Sequence, residues 1–181
     1  MLLRAIENQP RLAWIKGFRA VTLNLAGHLS KFEDYASEVF KLPIKRQRRL
    51  GILCMQNVND YLTGRQLRNS EEVVSYYIRS KKSTYDPLSV NVVIICHRAG
   101  NDEKAFRSAT NMLNKWPCLL YKSLTASVLA NISYKNQENE KAREYAKTAL
   151  EHAPSDEVRE LLKSLHKNVL AYEGDIICEN S

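Results

Sequence analysis

The chain has 181 residues, 44% hydrophobic and 26% charged, enough for one domain with a core or a short helical array; this composition excludes a disordered polar chain. Its longest apolar run, Val92 to Cys96, falls far short of the ~20 residues of a membrane helix, so no membrane role is expected. The formal net charge of +7 lies wholly in the first half, where residues 1–86 hold 15 Lys+Arg against 8 Asp+Glu while residues 87–181 hold 12 against 12.

In chain order, Ala5-Ile6-Glu7-Asn8-Gln9-Pro10 echoes Ala149-Leu150-Glu151-His152-Ala153-Pro154, so the chain reads as opening in the middle of a helical hairpin that ends at Pro10. A helix follows with Trp14, Phe18, Val21, Leu25 and Leu29 on one stripe. A shorter helix carries Phe32, Tyr35, Ala36 and Val39 and closes at Pro43. The next begins at Ile44 and keeps Leu50, Leu53, Cys54, Val58, Tyr61 and Leu62 in register. Its partner spans Ser70 to about Lys81, with Ser70 as N-cap and Glu71 and Glu72 at the positive end of the helix dipole. Residues 63–69 read equally as loop or as helix continuation.

The clearest internal repetition comes next. Asn101-Asp102-Glu103-Lys104-Ala105 aligns with Glu138-Asn139-Glu140-Lys141-Ala142 at an offset of 37, and twelve residues after the alanine each copy meets a proline, Pro117 and Pro154. Ala105, Ala109 and Met112 match Ala142, Ala146 and Ala149, small residues at a spacing that gives each helix a flat stripe for close packing. Each copy follows an apolar segment. Leu119 to Tyr134 presents Leu124, Val128, Leu129 and Ile132 on one face. Val92 to Cys96 alone also suits a buried strand, but its place just before Gly100-Asn101-Asp102 and a helix predicts that it is helical. After Pro154, Ser155 caps a final helix with Val158, Leu161, Leu162, Leu165 and Val169 as its apolar stripe, expected to cover the end of the stack.

Residues 87–154 resemble two tetratricopeptide repeats: the first carries Val92-Val93, Gly100, Ala105, Ala109 and Pro117, the second Leu129-Ala130, Ala142, Ala146, Ala149 and Pro154. The resemblance implies an all-α fold, a right-handed α-solenoid of helical hairpins at 11–43, 44–86, 87–117 and 118–154 with a capping helix at 155–172, all in a single domain 1–181. Leu42-Pro43-Ile44-Lys45-Arg46-Gln47-Arg48-Arg49-Leu50-Gly51 is similar to the tetratricopeptide-type output domains of bacterial two-component response regulators, although Leu42 stands where a serine is usual and no receiver domain is present.

In such repeats the concave groove holds a protein or peptide partner. The groove positions fall on Val90, Ile94 and His97, then on Leu124, Ser127, Asn131 and Tyr134, a mostly apolar set that suits an amphipathic helix or an extended peptide. Register from Leu50-Gly51 puts Lys45 and Arg48 in the groove as well. With Arg49 they form a basic patch for an acidic partner surface, which Arg65, Arg68, Arg79, Lys81 and Lys82 would widen. The alternative is a nucleic-acid-binding helical repeat that uses the same basic half. The sequence holds no GxGxxG, GxxxxGK[ST], GxSxG or CxxC, and its acidic pairs stand at helix starts, so neither enzyme chemistry nor a cofactor is expected. Cys54, Cys96, Cys118 and Cys178 are scattered and read as free thiols, with no metal site. Met1 to Glu7 shows no secretory leader, and the expectation is a cytoplasmic signal-transduction protein.

Overall fold

A computed structural model describes residues 2–42, 46–80, 87–113, 115 and 118–171, with the side chains of 2–11, 13, 14, 46–48, 80 and 87 left aside. The described residues form ten helices and no strand: α1 (Leu2–Leu25), α2 (Leu29–Val39), α3 (Arg46–Leu62), α4 (Ser70–Ser80), α5 (Pro87–Arg98), α6 (Asp102–Leu113), α7 (Leu119–Lys135), α8 (Asn139–Glu151), α9 (Asp156–Leu165) and α10 (Lys167–Leu170). Val92 to Cys96 is helical, and residues 63–69 are turn and loop. None of these helices is long and apolar enough to cross a membrane.

A regular turn sets the architecture. The odd-numbered helices α1, α3, α5 and α7 each end at a residue with positive φ, namely Gly27, Gly64, Gly100 and Gln137, at successive spacings of 37, 36 and 37 residues. At each turn two amides fold back on the last helical carbonyls, as when Gly64 N–H donates to Tyr61 O (3.1 Å) and Arg65 N–H to Asp60 O (2.8 Å). The spacing of 37 read in the second half is therefore matched, to within one residue, at the turns that follow α1, α3 and α5. Each odd helix packs on the next odd one, α1 on α3, α3 on α5 and α5 on α7, and each also packs on the even helix that follows it.

Alanine stripes form the buried faces of the even helices α6 and α8. Ala142, Ala146 and Ala149 are the buried residues of α8, and Ala105 and Ala109 seat α6 in the same way with Met112. Helix α7 is buried almost all round, so its hydroxyls need internal partners: Ser123 Oγ donates to Ala149 O and Thr125 Oγ1 to Tyr121 O, both over 2.7 Å.

Three expectations change. Helix α1 runs without a break through Pro10, so the hairpin boundary at residue 11 does not hold; a proline removes one amide, and the helix formers on both sides carry the turn past it. Phe18 does not share a buried stripe with Leu25 and Leu29. The buried side of α1 is Gly17, Ala20 and Asn24, with Asn24 Nδ2 donating to Asn59 Oδ1 of α3 (3.1 Å), while Leu29 belongs to α2. The final segment breaks at His166 into α9 and α10. Helix α9 is not an end cap: Val158 and Leu162 lie in the same core as Ala20, Phe32, Tyr61 and Leu124, and α9 packs on α3 as well as α8. Its start is tied to the first hairpin, with Glu157 accepting from Leu29 N–H (3.1 Å) and Ser30 N–H (2.9 Å) at the N-terminus of α2, where His28 makes no capping hydrogen bond of its own. Ser155 caps α9 as expected, accepting from Val158 N–H over 3.2 Å.

Candidate partner-binding surface

The expected groove is not an open surface. Val90, Ile94, Leu124 and Ser127 are buried, and Tyr61 of α3 and His166 after α9 both meet Ser127. Ser127 Oγ meets the Tyr61 hydroxyl at 3.0 Å and His166 Nε2 at 2.7 Å, and Asn131 Nδ2 donates to the Tyr61 hydroxyl at 3.1 Å. Burial pushes the Tyr61 phenol up to about 12, against the opposing effect of Ser127, and pushes His166 down to about 4. A serine on a histidine nitrogen is the opening of a nucleophile–base pair, yet both groups are sealed from solvent and His166 Nδ1 has no orienting acceptor. The pair is part of the core.

His97 is half-buried and held by Asp102, its Nδ1 at 2.9 Å from Oδ1. Burial works to raise the Asp102 carboxyl, but hydrogen bonds from Lys135 and His97 outweigh it and hold the group below the ordinary range. Tyr134 is 40% exposed, the one residue of the expected groove in the exposed class among those whose side chains are described. In the expected basic patch Arg49 is exposed, with its guanidinium 5.2 Å above the Phe40 ring; Lys45 and the side chain of Arg48 lie outside the described residues. Arg79 is exposed at the end of α4, and Lys81 and Lys82 also lie outside the described residues.

A different set of arginines converges after α3. The buried Asp60 carboxylate takes two hydrogen bonds from Arg68, from Nε and Nη2, each 2.9 Å, and lies 3.3 Å from Arg65 Nε. Glu33 of α2 bridges the same two arginines, at 2.8 Å from Arg68 and 3.2 Å from Arg65. The hydrogen bond to Asp60 raises the Arg68 guanidinium above its usual value, and the pairing is what allows a carboxylate to sit buried in α3. Arg98 at the end of α5 lies 5.3 Å over the Tyr61 ring and donates to Tyr61 O at 3.3 Å. Arg65 and Arg98 line an open cleft of about 460 Å³ together with Gly64, Gln66, Leu67, Ser70, Ile95 and Ala99. The lining contains two guanidiniums and no carboxylate.

Sequence reasoning saw Arg65 and Arg68 only as an extension of the patch and passed over Arg98. The available signal was Asp60, a carboxylate inside the apolar stripe of α3 that demanded a cationic partner. Set against known proteins, the chain matches no family model, no curated protein and no solved structure.

Proposed function

We propose that this chain is a regulatory protein–protein interaction module of tetratricopeptide-like hairpins that holds an acidic segment of a partner protein at the Arg65–Arg98 cleft. The observation that carries this reading is the lining: Arg65 is braced by Glu33, Asp60 and Thr63, and Arg98 by the Tyr61 ring, so two guanidiniums are positioned ahead of binding in a cleft whose own lining residues include no acid. Partner carboxylates would meet donors whose ordering cost has already been met within the fold. The 37-residue helical repetition and the similarity of Leu42 to Gly51 to signalling output domains favour a binding role over a chemical one.

The test is fluorescence anisotropy with a labelled Asp/Glu-rich peptide and with a short DNA duplex, against wild type and the Arg65→Gln/Arg98→Gln double variant. Arg68 stays intact because its loss would strand Asp60. The peptide should bind roughly ten-fold more weakly to the variant. Equal peptide binding to both proteins would defeat the proposal. Duplex binding that falls steeply with salt, with no peptide binding, would replace it by the nucleic-acid reading.

A further inference from the structure

The charges around the arginine cleft are not all balanced within the fold. Asp60 and Glu33 together hold Arg65 and Arg68, two carboxylates against two guanidiniums. Arg98 stands outside this set. It lies over the Tyr61 ring and donates to Tyr61 O, and among the described residues it has no carboxylate partner. A carbonyl oxygen and a ring face hold a guanidinium in place without neutralising its charge. Glu71 and Glu72, which follow Ser70 in the first turn of α4, are exposed and are not among the lining residues.

The same lining is apolar at Leu67, Ile95 and Ala99. Leu67, in the loop before α4, is half-buried and packs on the main core. Ile95 of α5 is half-buried as well and packs on the smaller cluster that contains Leu53, Val73 and Leu88. Core packing fixes both side chains, so this apolar surface is in place before anything binds. Ala99, next to Arg98, is exposed. The cleft volume of about 460 Å³ lies low in the range of roughly 300–1,000 Å³ for small-ligand sites, so it admits individual side chains rather than a whole helix.

A carboxylate alone would meet the guanidiniums and leave Leu67, Ile95 and Ala99 in water. An aliphatic side chain alone would cover those three and leave Arg98 without a counter-charge. We propose that the cleft takes a two-part element of the partner segment, an aliphatic side chain next to a carboxylate. The carboxylate meets Arg98, and the aliphatic group covers Leu67, Ile95 and Ala99. This pair of contacts rests on the cleft being the partner site proposed above, and it selects among acidic segments: charge brings them to the opening, and the apolar contact retains those with the right neighbour.

Three labelled peptides of equal length are compared by fluorescence anisotropy. The first is Asp/Glu-rich with one leucine beside a glutamate, the second has serine for that leucine, and the third keeps the leucine but has amides for its carboxylates. The leucine peptide should bind wild type about ten-fold more tightly than the serine peptide. The amide peptide should bind at least about ten-fold more weakly than the leucine peptide. Arg98→Gln should weaken both acidic peptides about ten-fold. Leu67→Ser, with its fold checked by thermal melt, should lose the preference for leucine and bind the serine peptide as wild type does. Ala99→Glu is the second variant, since Ala99 is exposed and the change leaves the core alone; it should weaken both acidic peptides about ten-fold. Equal affinity of wild type for the leucine and serine peptides overturns the inference and leaves the arginine-cleft reading standing. An amide peptide as tight as the leucine peptide overturns it too. Absence of binding by either acidic peptide removes the cleft reading and the inference with it. A full leucine preference on folded Leu67→Ser, or unchanged binding on Ala99→Glu, overturns the inference by placing the leucine elsewhere.

Discussion

The Ser155 hydroxyl donates to the Gly27 carbonyl over 2.8 Å, joining positions 128 apart in the sequence. The approach is so close that a Cβ added at Gly27 would lie 2.4 Å from Ser155 Oγ and 2.9 Å from its Cβ. Gly100 has nearly the same backbone, φ +78 against +80, and nothing within 4 Å of its added Cβ. Gly100→Ala should therefore cost only the left-handed strain, about 1 kcal/mol. Gly27→Ala should cost roughly 3 kcal/mol, since it must also part α9 from the first hairpin. Urea denaturation of the two variants measures the difference, and equal losses would show that the Ser155 contact carries no energy.

Gln137 occupies the same left-handed turn position with φ 63, where the other three repeats have glycine. Gln137→Gly should raise stability by about 0.5–1 kcal/mol, the relief of a strained side-chain position less the extra freedom of glycine when unfolded. A higher melting temperature with an unchanged denaturant slope is the expected result. A lower one would mean that the Gln137 side chain does more than its exposure indicates.

The buried His166 couples stability to pH. Its folded value is about 4 against an ordinary 6.5, so above pH 6.5 it is neutral in both states and adds no pH dependence. As pH falls from about 6.5 toward 4, the unfolded chain takes up a proton that the native core refuses, and stability drops by roughly 3 kcal/mol in total. His166→Gln should flatten that slope, read from urea midpoints between pH 7 and pH 4. Asp102, held below the ordinary carboxyl range, loses its own contribution only at the acid end.

Ala109 and Ala146 are fully buried on the inner faces of α6 and α8. Leucine at either should overpack its interface by roughly 1–3 kcal/mol. An unchanged thermal melt for Ala146→Leu would place the α8 stripe elsewhere.

These residues also show which parts of the fold are legible in the sequence. Small side chains at regular spacing declare a helix face meant for close approach, and Ala105, Ala109, Ala142, Ala146 and Ala149 are all buried as their pattern predicts. What covers a face is not local information. Ser127 and Asn131 read as groove residues from the register of the repeat, whereas the partners of Ser127, Tyr61 and His166, come from 66 and 39 residues away and turn that position into core. Phe18 reads as core because its spacing puts it on one stripe with Val21 and Leu25, yet α1 buries Gly17, Ala20 and Asn24 and Phe18 is 65% exposed. The first two turns of the series, at Gly27 and Gly64, are harder to read because the Glu-Lys-Ala that follows the later two is missing there.

The tie between Glu157 and the first turn of α2 bears on how the chain reaches this state. A linear array of repeats can nucleate in any neighbouring pair and grow outward, each step closing a short loop. Here the amides of Leu29 and Ser30 find their acceptor only after some 127 further residues have been added. On the ribosome the first hairpin would emerge with the first amides of its second helix lacking this acceptor, and they would stay so until α9 arrives. The molecule thus trades stepwise assembly for a single late closure with a large loop entropy, and it should fold as one cooperative unit. Removing an internal hairpin would then misalign the closure and destroy the fold, where an open array would only become shorter.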